Sequence, residues 1–175
     1  MRLSVLLDSP WGEIELHAAH IVPGSTYGWT KIEMFEGIHR RLRGQSAVSR
    51  ILCGDLNSPK AETPDGQIVT FGHRVRQNGT IAIRRGQERW ASGELGVLQG
   101  LAQYGLPDIF REVNGYDVEA FSWFAKRKSL AIRRRFDHVF ASGDLNAFVC
   151  QYMTHVVDQR LSDHAAIRAV FEPKA

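Results

Sequence analysis

Cysteine is scarce in this chain. There are two in 175 residues. Cys53 follows Ile51-Leu52, and Cys150 follows Ala147-Phe148-Val149. Each stands in an apolar, strand-like stretch and reads as a small buried hydrophobe. A disulfide framework is therefore not expected, a reducing compartment is favoured, and the expected localisation is cytoplasmic. Long apolar runs are lacking too. None approaches the roughly 20 residues that cross a bilayer, so no membrane partner is expected. The apolar start, Leu3 to Leu7, is too short for a secretory leader. With no repeat, low-complexity tract or linker, residues 1–175 read as one domain.

What is present is an ordinary core. The hydrophobic fraction is 43%, as in soluble globular proteins. The net charge of +3 is mildly basic and compatible with a polyanionic partner. Leu3 to Leu7 and Glu13 to Val22 read as two strands of a hairpin around Ser9-Pro10-Trp11-Gly12. Thr30-Lys31-Ile32-Glu33 has the spacing of a capping box. Ile32, Phe35, Ile38 and Leu42 then recur at helical spacing up to Gly44. Ser49 to Cys53 is a short buried strand. Ser58 to Trp90 is a polar, Gly- and Arg-rich excursion, with a hairpin turn expected at Gln77-Asn78-Gly79-Thr80. Ser92 is placed to cap a helix over Glu94 to Tyr104. Further strands are expected over Phe136 to Ala141, Phe148 to His155 and Ala165 to Phe171. Alternating strands and helices with hairpins between them predict a mixed α/β (α+β) sandwich.

Gly-Asp-Leu-Asn occurs twice. Gly54 to Asn57 follows a buried strand, which puts a carboxylate and an amide at a strand's C-terminal edge, where sites collect in layered α/β folds. Gly143 to Asn146 follows Ala141-Ser142 and leads straight into another strand, so it reads as a turn. Asp137-His138 lies in a strand with apolar neighbours, and Asp163-His164 opens another. Each pair alone is compatible with a structural role. Jointly, one carboxylate can fix an imidazole's tautomer while another binds a cation. His20 alternates with strand positions, and two readings stay open: it faces a site, or it makes a satisfied core contact. From Lys126 to Arg135 the chain holds six cations and no acid, preceded by Phe121, Trp123 and Phe124. That run reads as a nucleic-acid face or as a solvated loop beside a core aromatic.

These residues carry a resemblance. The chain resembles the endonuclease/exonuclease/phosphatase superfamily, the DNase I-like fold, and within it the exonuclease III-like and apurinic endonuclease-like members. Gly54 to Asn57 is similar to the family's Gly-Asp-x-Asn motif. Arg135 to Ser142 is similar to its Arg-x-Asp-His/Tyr strand, and Ser162-Asp163-His164 to its closing Ser-Asp-His. His20 to Ser25 with Gly28 to Glu33 resembles the strand-to-helix segment. Asp108 to Arg111 and Phe121-Ser122-Trp123 resemble the stretch before the Arg-x-Asp strand.

The resemblance implies a two-sheet β-sandwich flanked by helices, with the site at one end. It implies a divalent cation, Mg²⁺ or Mn²⁺, which the lack of a Cys/His cluster also favours over zinc. Asp55 would orient or deprotonate water, and Asn57 would hold that water or a phosphate oxygen. His164, oriented by Asp137, would meet the phosphate, as would His20. Asp163 would be the metal ligand. Trp123, Arg135 and Lys31 would face the substrate, DNA or another phosphoester. The family's opening strand and its Gln-Glu pair have no counterpart, and neither Glu13 nor Glu15 is assigned that role. The chain is therefore expected to be N-terminally truncated, with exposed sheet surface to be completed by a missing segment or a homo-oligomer. Two alternatives accompany the nuclease reading. One is a catalytically weak or inactive relative that binds nucleic acid or a partner protein, and the other is a small-molecule phosphodiesterase or phosphatase.

Overall fold

Strands β1 (Arg2–Ser9) and β2 (Gly12–His20) form the expected hairpin. Its turn needs Gly12, whose φ is +104°, and Ser9 Oγ both donates to Gly12 O and accepts from Trp11 N. The computed structural model describes residues 2–127 and 130–173. After β2 the chain makes one helical turn, α1 (Gly24–Tyr27), and enters α2 (Thr30–Leu42). Ile32, Phe35, Ile38 and Leu42 are buried, as their spacing predicts. The capping box does not form. Trp29 is already helical, and its carbonyl accepts from Ile32 N and Glu33 N, so the turn before Thr30 satisfies the groups a cap would serve.

Strand β3 (Ser49–Asp55) lies parallel to β2, with Leu16 opposite Ile51 and His20 opposite Asp55. A parallel neighbour needs a crossover, and α2 is that crossover. The polar excursion folds as two small hairpins, β4 (Ala61–Glu62) with β5 (Ile68–Val69), and β6 (His73–Val75) with β7 (Ile81–Ile83). The second turns at Asn78-Gly79, as the sequence predicts. Helix α3 (Glu88–Leu98) starts earlier than expected and breaks at Gln99, beyond which Gly100–Tyr104 is a 3₁₀ turn. Ser92 does not cap it; its hydroxyl donates to Arg89 O from inside the helix. Packing against α2 sets this register, because a side chain at Gly93 would approach Ile32 to 2.7 Å.

Helix α4 (Ile109–Asn114) is capped by the Asp108 side chain. Strands β8 (Trp123–Arg127) and β9 (Leu130–Arg134) pair as a hairpin, and Lys128 of the basic run lies outside the described residues. Strand β10 (Asp137–Ala141) runs antiparallel to β3 and ends the four-stranded order β1-β2-β3-β10. Strand β11 (Leu145–Met153), the turn α5 (His155–Asp158) and β12 (Ala166–Pro173) complete the described chain, with β11 and β12 paired antiparallel. The second Gly-Asp-Leu-Asn is the turn between β10 and β11.

The four-stranded sheet separates two cores. Leu52 and Phe140 face α2 and α3 with Ile21, Ile32 and Phe35. Their strand neighbours Ile51, Cys53, Val139 and Ala141 face β11 and β12. This period-two division makes the predicted sandwich flanked by helices. Both cysteines are free. Among the described residues no helix is long and apolar enough to cross a membrane.

Candidate active site

The site begins with a glycine. Gly54 has φ +130°, and a Cβ there would lie 2.0 Å from Ala19 O on β2. Only a residue without a side chain lets β3 run past β2 and deliver Asp55 at the strand's end. Asp55 then shapes its own loop. Its Oδ1 accepts from Asn57 N at 2.7 Å, and its Oδ2 from Asn57 Nδ2 at 3.0 Å. Asn57 Nδ2 also donates to Ile21 O at 2.9 Å, and the residue holds a left-handed φ of +49° that asparagine tolerates.

Three further strands bring side chains to this point. Asp137 opens β10 directly across from Asp55. His164 bridges to Trp123 just before β12, and its Nδ1 donates to Asp137 Oδ2 at 2.7 Å. Asp55, Asp137 and His164 offer ligand atoms that all lie within 4.8 Å of one another. His20 ends β2 with Nε2 3.7 Å from Asp55 Oδ2 and its side chain 62% exposed. Asp163, expected as the metal ligand, is exposed and outside this group; the carboxylates that converge on His164 are Asp55 and Asp137.

The environment sets the protonation states. Burial raises the Asp55 carboxyl above its ordinary value, and the nearby Asp137 charge adds to that, while Asn57 N–H and the two histidines oppose it. The bond to Asp137 raises the His164 imidazole, against partial burial. With the Nδ1 proton committed to Asp137, Nε2 is the nitrogen left for substrate.

Two buried devices hold Asp137 and the Asn57 loop in place. Ser122 Oγ accepts from both Phe136 N and Asp137 N at 2.9 Å, and Tyr152 Oη donates to Asp137 O at 2.5 Å. Behind them lies an ionic network. Arg135 donates to Glu62 and Asp108, Arg111 donates to Glu62, and His138 spans Asp108 Oδ2 at 3.0 Å and Ser58 O at 2.8 Å. Burial alone would push the Glu62 carboxyl up, but Arg135 and Arg111 hold it at about 2. The expected substrate contact of Arg135 is thereby corrected. Its side chain is 2% exposed and fully engaged inside the protein.

Beside the cluster opens a cleft of about 610 Å³. Trp123 lines it, stacked on Phe136 with centroids 5.4 Å apart. Lys31 lines it as well, although its side chain is 1% exposed. It pairs with Glu94 at 2.6 Å and donates to Asn57 O at 2.8 Å. Burial lowers this ammonium, with Glu94 opposing. Arg134 of the basic run lines it too, together with Phe71, Arg84 and Trp90, which sequence reasoning did not single out. Glu94 and Glu62 were missed as well. An acid on the apolar stripe of α3 was the only local signal for the first, and Glu62 had none.

No protein-family model and no curated protein matches this sequence. Solved structures do match its shape. An endonuclease/exonuclease/phosphatase from Beutenbergia cavernae superposes on 99% of the chain with a TM-score of 0.63 and 20% identity. TDP2 from D. rerio, solved with a single-strand DNA product, matches 98% at 0.62 and 14% identity. A family protein from Leptotrichia buccalis matches 98% at 0.56 and 14% identity. The fold is that of the endonuclease/exonuclease/phosphatase proteins. The chain spans 39%, 61% and 53% of those three chains in turn.

Proposed function

We propose that the chain is a phosphoester hydrolase, dependent on Mg²⁺ or Mn²⁺, that acts on DNA. The observation that carries this reading is the convergence of Asp55, Asp137 and His164 at one end of this fold, beside a cleft with no carboxylate in its lining. The order of motifs, from His20 through Gly54–Asn57 and Arg135–Ser142 to Ser162–His164, supports the exonuclease III-like and apurinic endonuclease-like branch. The two free cysteines support a reducing, cytoplasmic setting.

The donor set fits a hard cation. Mg²⁺ takes one or two carboxylates and completes its shell with water and substrate phosphate, whereas zinc sites draw on several imidazoles or thiolates. Asp137 would hold the ion through the carboxylate oxygen that His164 does not occupy, with Asp163 at the rim, and Asp55 would face the attacking water. When bound, it would neutralise charge developing on the phosphate oxygens.

The chain's own residues divide the remaining work. Asp55, ionised but with raised affinity for a proton, takes a proton from the attacking water that Asn57 orients. His164 presents Nε2–H to the phosphate oxygen and can return a proton to the leaving oxygen. Asp137 fixes its ring. His20 meets a second phosphate oxygen, and Trp123 lines the path of the strand.

The test is hydrolysis of abasic-site duplex, single-stranded DNA and a small phosphodiester in Mg²⁺. His164→Ala is expected to lower turnover by about 10² to 10⁴. Equal rates in both proteins would sink the mechanism.

A further inference from the structure

A phosphate-hydrolysing cluster alone does not require the cleft beside it. Its far wall comes from the 58–90 excursion and its join to α3, which supply Phe71, Arg84, Gln87 and Trp90. The near wall is Trp123 on Phe136 with Arg134, and Asn57 connects the cleft to the cluster. The lining holds four aromatic rings, three cations and no acid. Phe71 is fixed from several directions. Lys31 Nζ lies 4.4 Å and the Arg134 guanidinium 5.0 Å from its ring centre, Arg84 donates to its carbonyl, and Glu94 Oε2 accepts from its N–H at 2.8 Å. Trp90 packs on a glycine: a side chain at Gly24 would come within 2.6 Å of its ring.

A phosphate group alone would need far less room than 610 Å³, a volume typical of pockets for whole small molecules. Sugars and inositols offer hydroxyls and little π-surface. Aromatic walls with guanidinium groups suit a planar base attached to an anion. We propose that this cleft seats a nucleobase carried next to the scissile phosphate, so that the substrate class is a nucleotide phosphoester rather than a sugar phosphate. This rests on the hydrolase reading above for the position of the phosphate.

The experiment is tryptophan fluorescence of the full chain in EDTA, which removes turnover. The probes are dTMP, a short oligo-dT bearing a 5′-phosphate, and 2-deoxyribose 5-phosphate. The base-bearing probes are expected to bind about tenfold or more tightly than the sugar phosphate, the scale of one base–aromatic stack. Whichever of dTMP and oligo-dT binds more tightly identifies a free nucleotide or a strand as the source. Phe71→Leu should erase the preference and Phe71→Tyr should keep it, with circular dichroism confirming that both fold. Equal or undetectable binding of all three probes, or an intact preference in Phe71→Leu, overturns the proposal. Base-dependent binding without any hydrolysis would sink the hydrolase reading and leave the base site standing. Hydrolysis without base preference would do the reverse.

Discussion

His164 is set up by the carboxylate behind it. Asp137 accepts the Nδ1 proton, and that bond keeps the ring protonated to higher pH than a free imidazole. In Asp137→Asn the His164 value should fall back towards the ordinary one. The high-pH limb of kcat/KM, where the imidazolium is lost, should then move to lower pH, with the rate down by about 10². A pH–rate profile reads this directly, and an unmoved limb would mean that His164 does not act as the acid. A low-pH limb is expected from Asp55, the proposed base, whose carboxyl burial raises above its ordinary value. Gly54→Ala should destabilise the protein by more than about 4 kcal/mol, measured by urea unfolding, because its Cβ would overlap the Ala19 carbonyl. Gly54, Asp55 and Asn57 were readable in the sequence because their bonds are local. Arg135 was misread because its partners Glu62 and Asp108 lie 73 and 27 residues away. No pattern along the chain announces a pairing of that span.

At the element scale, the ionic network ties β4, α4 and the entry to β10 into one block under the Asn57 loop. Removing one partner from such a group leaves buried charge uncompensated. Glu62→Gln, which strips a carboxylate from both Arg111 and Arg135, should cost about 3–5 kcal/mol by chemical denaturation. The network also sets an acid limit. Glu62 is held below its ordinary 4.5 at about 2, so its contribution is present above about pH 4.5 and is lost as pH falls towards 2. Thermal melts across that window should show the loss in the wild type and a flatter profile in Glu62→Gln. The same scale explains how the basic run divides. Strand alternation sends Arg133 onto the Phe121 ring and Arg134 into the cleft, while Arg135, just past β9, turns into the protein. The last three cations of the run thus have three different destinations. The helix α2 stripe was legible from period alone, whereas the start of α3 was not, since Gly93 against Ile32 is a tertiary fit.

Across the whole molecule, burial fades along one row of the sheet. Ala141, Ile51, Leu16 and Val5 sit side by side on the four strands, and only the β10 end is closed over completely. The two-stranded layer of β11 and β12 covers the β3–β10 half. Leu3 and Leu7, on the same face of β1 as Val5, remain 60% and 43% exposed. An apolar edge strand of this kind is a template for strand addition. Concentration-dependent self-association is expected by light scattering, and Leu3→Lys with Leu7→Lys should reduce it while leaving phosphoester turnover unchanged. The sandwich was foreseeable from alternation, but not how unevenly its second layer would cover the first. The cleft's far wall has a different consequence. The 58–90 segment leaves β3 just past Asn57 and returns to α3, anchored by Arg134 to Lys60, by Glu94 to Phe71 and by Arg111 and Arg135 to Glu62. It is therefore a cassette: a transplant that preserves those anchors would replace the cleft's far wall while leaving the residues at the strand ends in place.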